Sequence, residues 1–165
     1  MTAETVATSV IAAVTVDLDD TLFPRAAWLA GAWEAVAAAG GTLGLSAELL
    51  HERLASISDG GSDRGRIVDR ALLAIGCSEV DLPALTPGLI AAFRAYAPDR
   101  IDCYPGVEAA LAAVRAFVPV ACITDGEPHI QRSKLRALGL ADSFDAVVFS
   151  DELGRQYRKR HPARF

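Results

Sequence analysis

The chain has 165 residues, 52% of them hydrophobic, and a net charge of -5 at neutral pH. That is ample material for a folded core, and too acidic a balance for general attraction to nucleic acid or an anionic membrane, so an anionic ligand must meet a local positive site. Three cysteines, Cys77, Cys103 and Cys122, match neither a disulfide framework nor paired zinc knuckles, which points to a reducing cytoplasm. The apolar stretch from Val6 to Val16 carries Glu4 where a signal peptide needs basic residues, and it ends in aspartates instead of a cleavage site. No other run approaches the roughly 18 apolar residues of a membrane span, so a soluble protein is expected.

In chain order, AAVTVD (Ala12 to Asp17) is short, β-branched and apolar on both faces, as a parallel strand covered by helices should be. From Arg25 to about Arg100 no strand pattern occurs. WLAGAWEAVAAAG, LSAELLHERLASI, RGRIVDRALLAIG and PGLIAAFRAYA instead read as amphipathic helices, separated by turns such as GGTLG and SDGGS. GVEAALAAVRAF follows, with Pro105 at a helix start and Val107, Leu111 and Val114 on one face. VPVACIT (Val118 to Thr124) is a second strand, HIQRSKLRALGL a helix stopped by Gly139, and AVVFS (Ala146 to Ser150) a third strand. This alternation predicts an α/β fold, a Rossmann-like parallel sheet with right-handed crossovers flanked by helices. Residues 1–24 and 101–165 form its discontinuous core, and residues 25–100 an all-helical insertion after the first strand.

The end of the first strand holds Asp17, Asp19 and Asp20. Strand alternation would project Asp17 and Asp19 to the same side and Asp20 away. Two carboxylates sharing a site repel unless a cation lies between them or one keeps a proton. A solvated strand end, with Asp19 or Asp20 capping the next turn, accounts for the same spacing. The second strand also ends in a polar group at this edge, Thr124 before Asp125 and Gly126. A hydroxyl there, with the N–H groups of the turn, suits phosphate oxygens, and Thr-Asp-Gly is equally an ordinary turn start.

Asp17-Leu18-Asp19-Asp20-Thr21-Leu22 resembles the first motif, Asp-x-Asp-x-Thr after a buried strand, of the haloacid dehalogenase-like hydrolase superfamily. The resemblance extends through Tyr104-Pro105-Gly106-Val107, the second motif at Thr124, Ser150-Asp151-Glu152-Leu153-Gly154, and Lys159 in Tyr157-Arg158-Lys159-Arg160-His161-Pro162. The helical insertion is similar to the superfamily's α-helical cap. The resemblance implies Asp17 as nucleophile forming an aspartyl-phosphate, and Asp19 as the acid and base that serves the leaving oxygen and the hydrolytic water. It implies Mg²⁺ on the Asp17 carboxylate and the Asp19 carbonyl. Thr124, with Asp125 and Gly126, would bind the phosphoryl oxygens, and Lys159 would neutralise them. The substrate so implied is a small phosphoester.

Two departures stand out. Arg160 replaces the family's usual proline beside Lys159, and Arg155, Arg158, Arg160 and Arg164 make a basic tail too brief for nucleic-acid binding. The other lysine, Lys134, falls inside a helix where the family has no catalytic group. The chain also stops at Phe165, before the helix, fourth strand and further acids that the family places next. The metal would then bind weakly. The first strand would become an apolar sheet edge along Ala12 to Val16 that invites a second copy of the chain. The alternatives are a 2-haloacid dehalogenase-type hydrolase, using Asp17 without metal, and a non-catalytic interaction module of the same fold. Trp28, Trp33, Arg64 and Arg66 are selectivity candidates, although tryptophan at helical spacing is more often core.

Overall fold

The computed structural model describes residues 11–59 and 65–154. Its elements in chain order are β1 (Val14–Val16), α1 (Arg25–Thr42), α2 (Ala47–Asp59), α3 (Ile67–Ala74) and α4 (Leu82–Ala95), followed by α5 (Val107–Arg115), β2 (Val120–Thr124), α6 (Pro128–Ala137) and β3 (Ala146–Phe149). A 3₁₀ turn, Ser150–Leu153, closes the described part. The chain divides into two compact units, Met1–Pro24 with Asp102–Phe165, and Arg25–Ile101. No helix among the described residues is long and apolar enough to cross a membrane.

The first unit is built on a parallel sheet of order β1-β2-β3. Val14 to Val16 pair with Val120 to Cys122, and Ala121 to Thr124 with Ala146 to Phe149. Central strand β2 buries Val120, Cys122 and Thr124 on one side, with Ala121 and Ile123 partly covered on the other. Its β-branched and small residues suit a strand covered on both faces. By contrast, β1 departs from the expected two-sided burial. Thr15 is exposed and Val14 and Val16 are only half-buried, because among the described residues β1 has a neighbouring strand on one side alone. The strand is also shorter than the apolar run suggests, ending at Val16 before the first aspartate.

A side chain fixes where β2 begins. The Val120 N–H donates to Asp145 Oδ2 at 2.8 Å, the Asp145 N–H donates back to the Val120 carbonyl at 2.8 Å, and Arg115 Nη2 reaches Asp145 Oδ1 at 3.2 Å. The Val120 N–H and then Arg115 hold the Asp145 carboxyl below the ordinary carboxylate range. Helix α6 starts with Pro128 in its first turn, where no intrahelical N–H is needed. It ends with Gly139 in the left-handed region (φ 70°), which lets the Gly139 and Leu140 N–H groups turn back onto the Arg136 and Leu135 carbonyls.

Among its described residues, every regular element of the second unit is a helix. In α1 the buried positions Trp28, Ala32, Trp33, Val36, Ala37 and Gly40 follow the helical period and make one stripe. Ser46 caps α2 by accepting the Leu49 N–H at 3.3 Å, and Leu50 and Leu54 turn inward one helical turn apart. Trp33, Val36, Leu50 and Leu54 meet Val68, Ala71 and Leu72 of α3 and Leu82 and Leu89 of α4 in one apolar cluster. Trp28 lies edge-on to Phe93 and Tyr96 at 5.2 and 5.6 Å between centroids, and Trp33 stacks on Phe93 at 4.8 Å. Both tryptophans are therefore core residues of this unit. Arg66, the left-handed residue before α3, pairs with Asp69 at 2.7 Å, and Arg64 lies outside the described residues.

Asp69 ties α3 to α4. It accepts the Thr86 hydroxyl at 2.7 Å as well as Arg66, and the hydroxyl foremost, then the guanidinium, holds its carboxyl below the ordinary range. A carboxyl depressed on folding stabilises the fold above its unfolded-state value, and that contribution fades as pH falls through the folded value. Asp69→Asn should therefore lower the melting temperature at neutral pH and flatten its decline below about pH 5, read by thermal melts from pH 7 to 3.

Candidate active site

The site is assembled where β1 and β2 end. After Val16 the chain leaves the strand, so Asp17 and Asp19 stand beyond β1, Asp19 in a β-bridge to Phe23 that closes the turn at residues 20–22. The turn is anchored from beneath by Leu18, Leu22 and Phe23, all buried. The Leu22 N–H bonds the Leu18 carbonyl and the Asp20 N–H the Phe23 carbonyl, both at 3.0 Å, and the Tyr104 N–H bonds the Leu22 carbonyl at 2.9 Å. Asp20 takes a left-handed conformation (φ 57°), which aspartate tolerates better than most residues, and so reverses the chain. Asp17 Oδ1 accepts the N–H of Leu18 at 2.7 Å, which fixes the carboxylate against its own turn.

Helix α6 supplies what the turn lacks. Gln131 and Lys134, three residues apart on one helical face, both reach Asp19. Lys134 Nζ lies 2.7 Å from Asp19 Oδ1, and Gln131 Nε2 lies 2.9 Å from Oδ2. Each carboxylate oxygen has its own donor. The same Gln131 nitrogen donates to Thr124 Oγ1 at 2.5 Å, so one amide joins the acid after β1 to the hydroxyl at the end of β2. Asp19 as a carboxylate only accepts, which obliges the amide to present its NH₂ to it. Thr124, 1% exposed, accepts from Gln131 and directs its own hydrogen elsewhere.

Lys134 is buried, its side chain 6% exposed, and an enclosed ammonium costs several kcal/mol unless paired. Asp19 meets that need, and the Phe23 ring, 5.9 Å from the nitrogen, adds a weaker cation–π attraction. Just after the third strand, Ser150 donates to Asp125 Oδ1, which follows β2, and Gly126 lies against the Gln131 side chain at φ 126°. Glycine suits that angle, which other residues rarely adopt.

Of the residues expected at the site, Asp19 and Thr124 are joined through Gln131, and Asp125 and Gly126 form the turn beside them. Asp17 stands two residues before Asp19 on the same turn, and Lys159 lies outside the described residues. Gln131 and Lys134 were not among the expected site residues. The available signal was their spacing, a glutamine and a lysine one helical turn apart directly after the Thr124 motif. Among the described residues no group of three or more His, Cys, Asp or Glu gathers as a metal centre. The turn does offer hard oxygen donors, the Asp17 carboxylate and the Asp19 carbonyl. Such a set fits Mg²⁺, which is commonly held by one or two carboxylates with water and substrate phosphate completing its shell. Burial, then Glu108, pushes the Cys103 thiol up, away from the thiolate form a nucleophile uses.

Residues 11–165 match the family model described as haloacid dehalogenase-like hydrolase. A phosphoglycolate phosphatase from Neisseria meningitidis is 30% identical over 148 residues, 87% of this chain and 60% of that protein. A phosphoserine phosphatase from Thermus thermophilus is 45% identical over 56 residues, 33% of this chain and 22% of the relative. Among solved structures, a Thermotoga maritima protein provisionally described as a β-phosphoglucomutase superposes with a TM-score of 0.62 at 24% identity, covering 86% of this chain and 62% of its own. The fold is thus shared, and the chain spans about three fifths of the length of its phosphoglycolate phosphatase relative.

Thr124→Val removes the buried acceptor of Gln131 and keeps the shape. It should cost about 1–3 kcal/mol in urea unfolding, whereas Thr124→Ser should stay close to wild type.

Proposed function

The chain belongs to the haloacid dehalogenase-like hydrolase family, and from that membership we propose that it acts as a phosphatase on a small phosphorylated metabolite. The observation that carries this reading is the shared Gln131 amide, which brings the acid Asp19 and the hydroxyl Thr124 to one place at the carboxyl ends of β1 and β2. That is where open α/β sheets bind ligands. The phosphatase names of the relatives support the same reading.

In this account an Asp17 carboxylate oxygen attacks phosphorus, the bond from phosphorus to the ester oxygen breaks, and Asp19 gives a proton to the departing alcohol. Water then attacks the aspartyl-phosphate, loses a proton to Asp19, and releases inorganic phosphate with Asp17 restored. Thr124 donates to a phosphoryl oxygen, with Asp125 and Gly126 shaping the turn around it. Lys159 supplies a second cation to the phosphate. Mg²⁺, held by the Asp17 carboxylate and the Asp19 carbonyl, would supply charge neutralisation when bound. The helical unit Arg25–Ile101 serves as the cap that sets selectivity. Three cysteines without a disulfide suit the cytoplasm. The outer edge of β1, unpaired among the described residues, pairs with a second copy of the chain; sedimentation across a concentration series should show a dimer, and a monomer at every concentration would refute this.

Phosphate release from a panel of small phosphoesters, with Mg²⁺ and with chelator, tests the activity. Metal-dependent release is expected, with Asp17→Asn lowering it at least about 10³-fold. Halide release from 2-haloacids would establish a dehalogenase instead, and no turnover of either class would leave a non-catalytic module.

A further inference from the structure

We propose that Lys134 and Gln131 are positioning residues that hold the Asp19 carboxyl in one orientation for proton transfer, an assignment that rests on the phosphatase reading. Proton transfer requires a carboxyl oxygen within hydrogen-bond reach of the leaving oxygen, and a short side chain on a turn has rotations that defeat this. Here both rotations are stopped. Lys134 grips Oδ1 at 2.7 Å and Gln131 grips Oδ2 at 2.9 Å, and both grips come from a single helix whose start is joined to β2 by the Thr124-Asp125-Gly126 turn. The two grips differ in kind: an ammonium holds Oδ1 and a neutral amide holds Oδ2. Through Gln131, Oδ2 is also the oxygen linked to Thr124, where the phosphoryl group is expected. Lys134 therefore fixes the rotation of the acid, and Gln131 aligns Oδ2 with the phosphate-binding hydroxyl.

A residue that only stabilised the fold would affect all substrates alike. An oriented acid matters most when the leaving alcohol is a poor one that needs its proton. The experiment measures kcat and KM of the full chain in Mg²⁺ with p-nitrophenyl phosphate, a good leaving group, and glycerol phosphate, a poor one. Lys134→Met is expected to lower kcat for the alkyl ester about 100-fold and for the aryl ester less than about 5-fold, with both KM values nearly unchanged. Lys134→Arg should recover part of the alkyl rate, and Gln131→Leu should show a smaller loss with the same dependence on leaving group. These two variants carry the comparison if Lys134→Met does not fold. Equal losses on both esters, or no loss, would overturn the positioning role while leaving the phosphatase reading intact. A wild-type chain that hydrolyses neither ester would overturn both.

Discussion

A charged ammonium shut away from water organises the first unit. Lys134 comes from the middle of α6, and its need for a counter-charge is met by Asp19 on the turn after β1. The position of that turn relative to α6 therefore follows from electrostatics as much as from the apolar contacts of Leu18, Leu22 and Phe23. Gln131 extends the constraint to Thr124, so an acid, an amide, a hydroxyl and an ammonium form one polar network on an otherwise apolar base. Satisfied networks of this kind are rigid, and removing one member takes a partner from each of its neighbours.

The second unit obeys different rules. Its cluster is made mostly of leucines and valines on four helices, with Trp33 and Phe93 supplying the largest surfaces and Trp28 edge-on to Phe93. Its polar ties, such as the Arg66, Asp69 and Thr86 set, lie toward the surface and fasten one helix to the next. The two units thus differ in kind: polar groups converge at the strand ends of one, and apolar side chains fill the middle of the other.

Much of this was legible in the residues. β-branched runs mark all three strands, and the helical stripes of α1 and α2 are visible as repeats of Trp, Val and Leu, because each reports its own local periodicity. Thr124 was legible for the same reason, standing where an apolar run gives way to Asp-Gly. Less legible was what depends on neighbours distant in sequence. The half-exposure of β1 follows from the order of strands in the sheet, which Val14 to Val16 do not encode by themselves. Lys134 was passed over because it falls inside a helix where the resembled family has no catalytic group, and its inward turn depends on a partner far away in sequence. Arg132 lies outward, pairing with Glu152, while Lys134 turns inward toward Asp19, 115 residues earlier in the chain. β1 ends before either acid, so the directions of Asp17 and Asp19 depend on the chain after the strand and not on strand alternation alone.

The hydrogen bond from Gln131 to Thr124 sets the polarity of that hydroxyl. In that arrangement the hydroxyl hydrogen cannot point at Gln131 and is left for another acceptor. A group that rotates freely on an isolated threonine is here given a direction by a glutamine seven residues further along the chain.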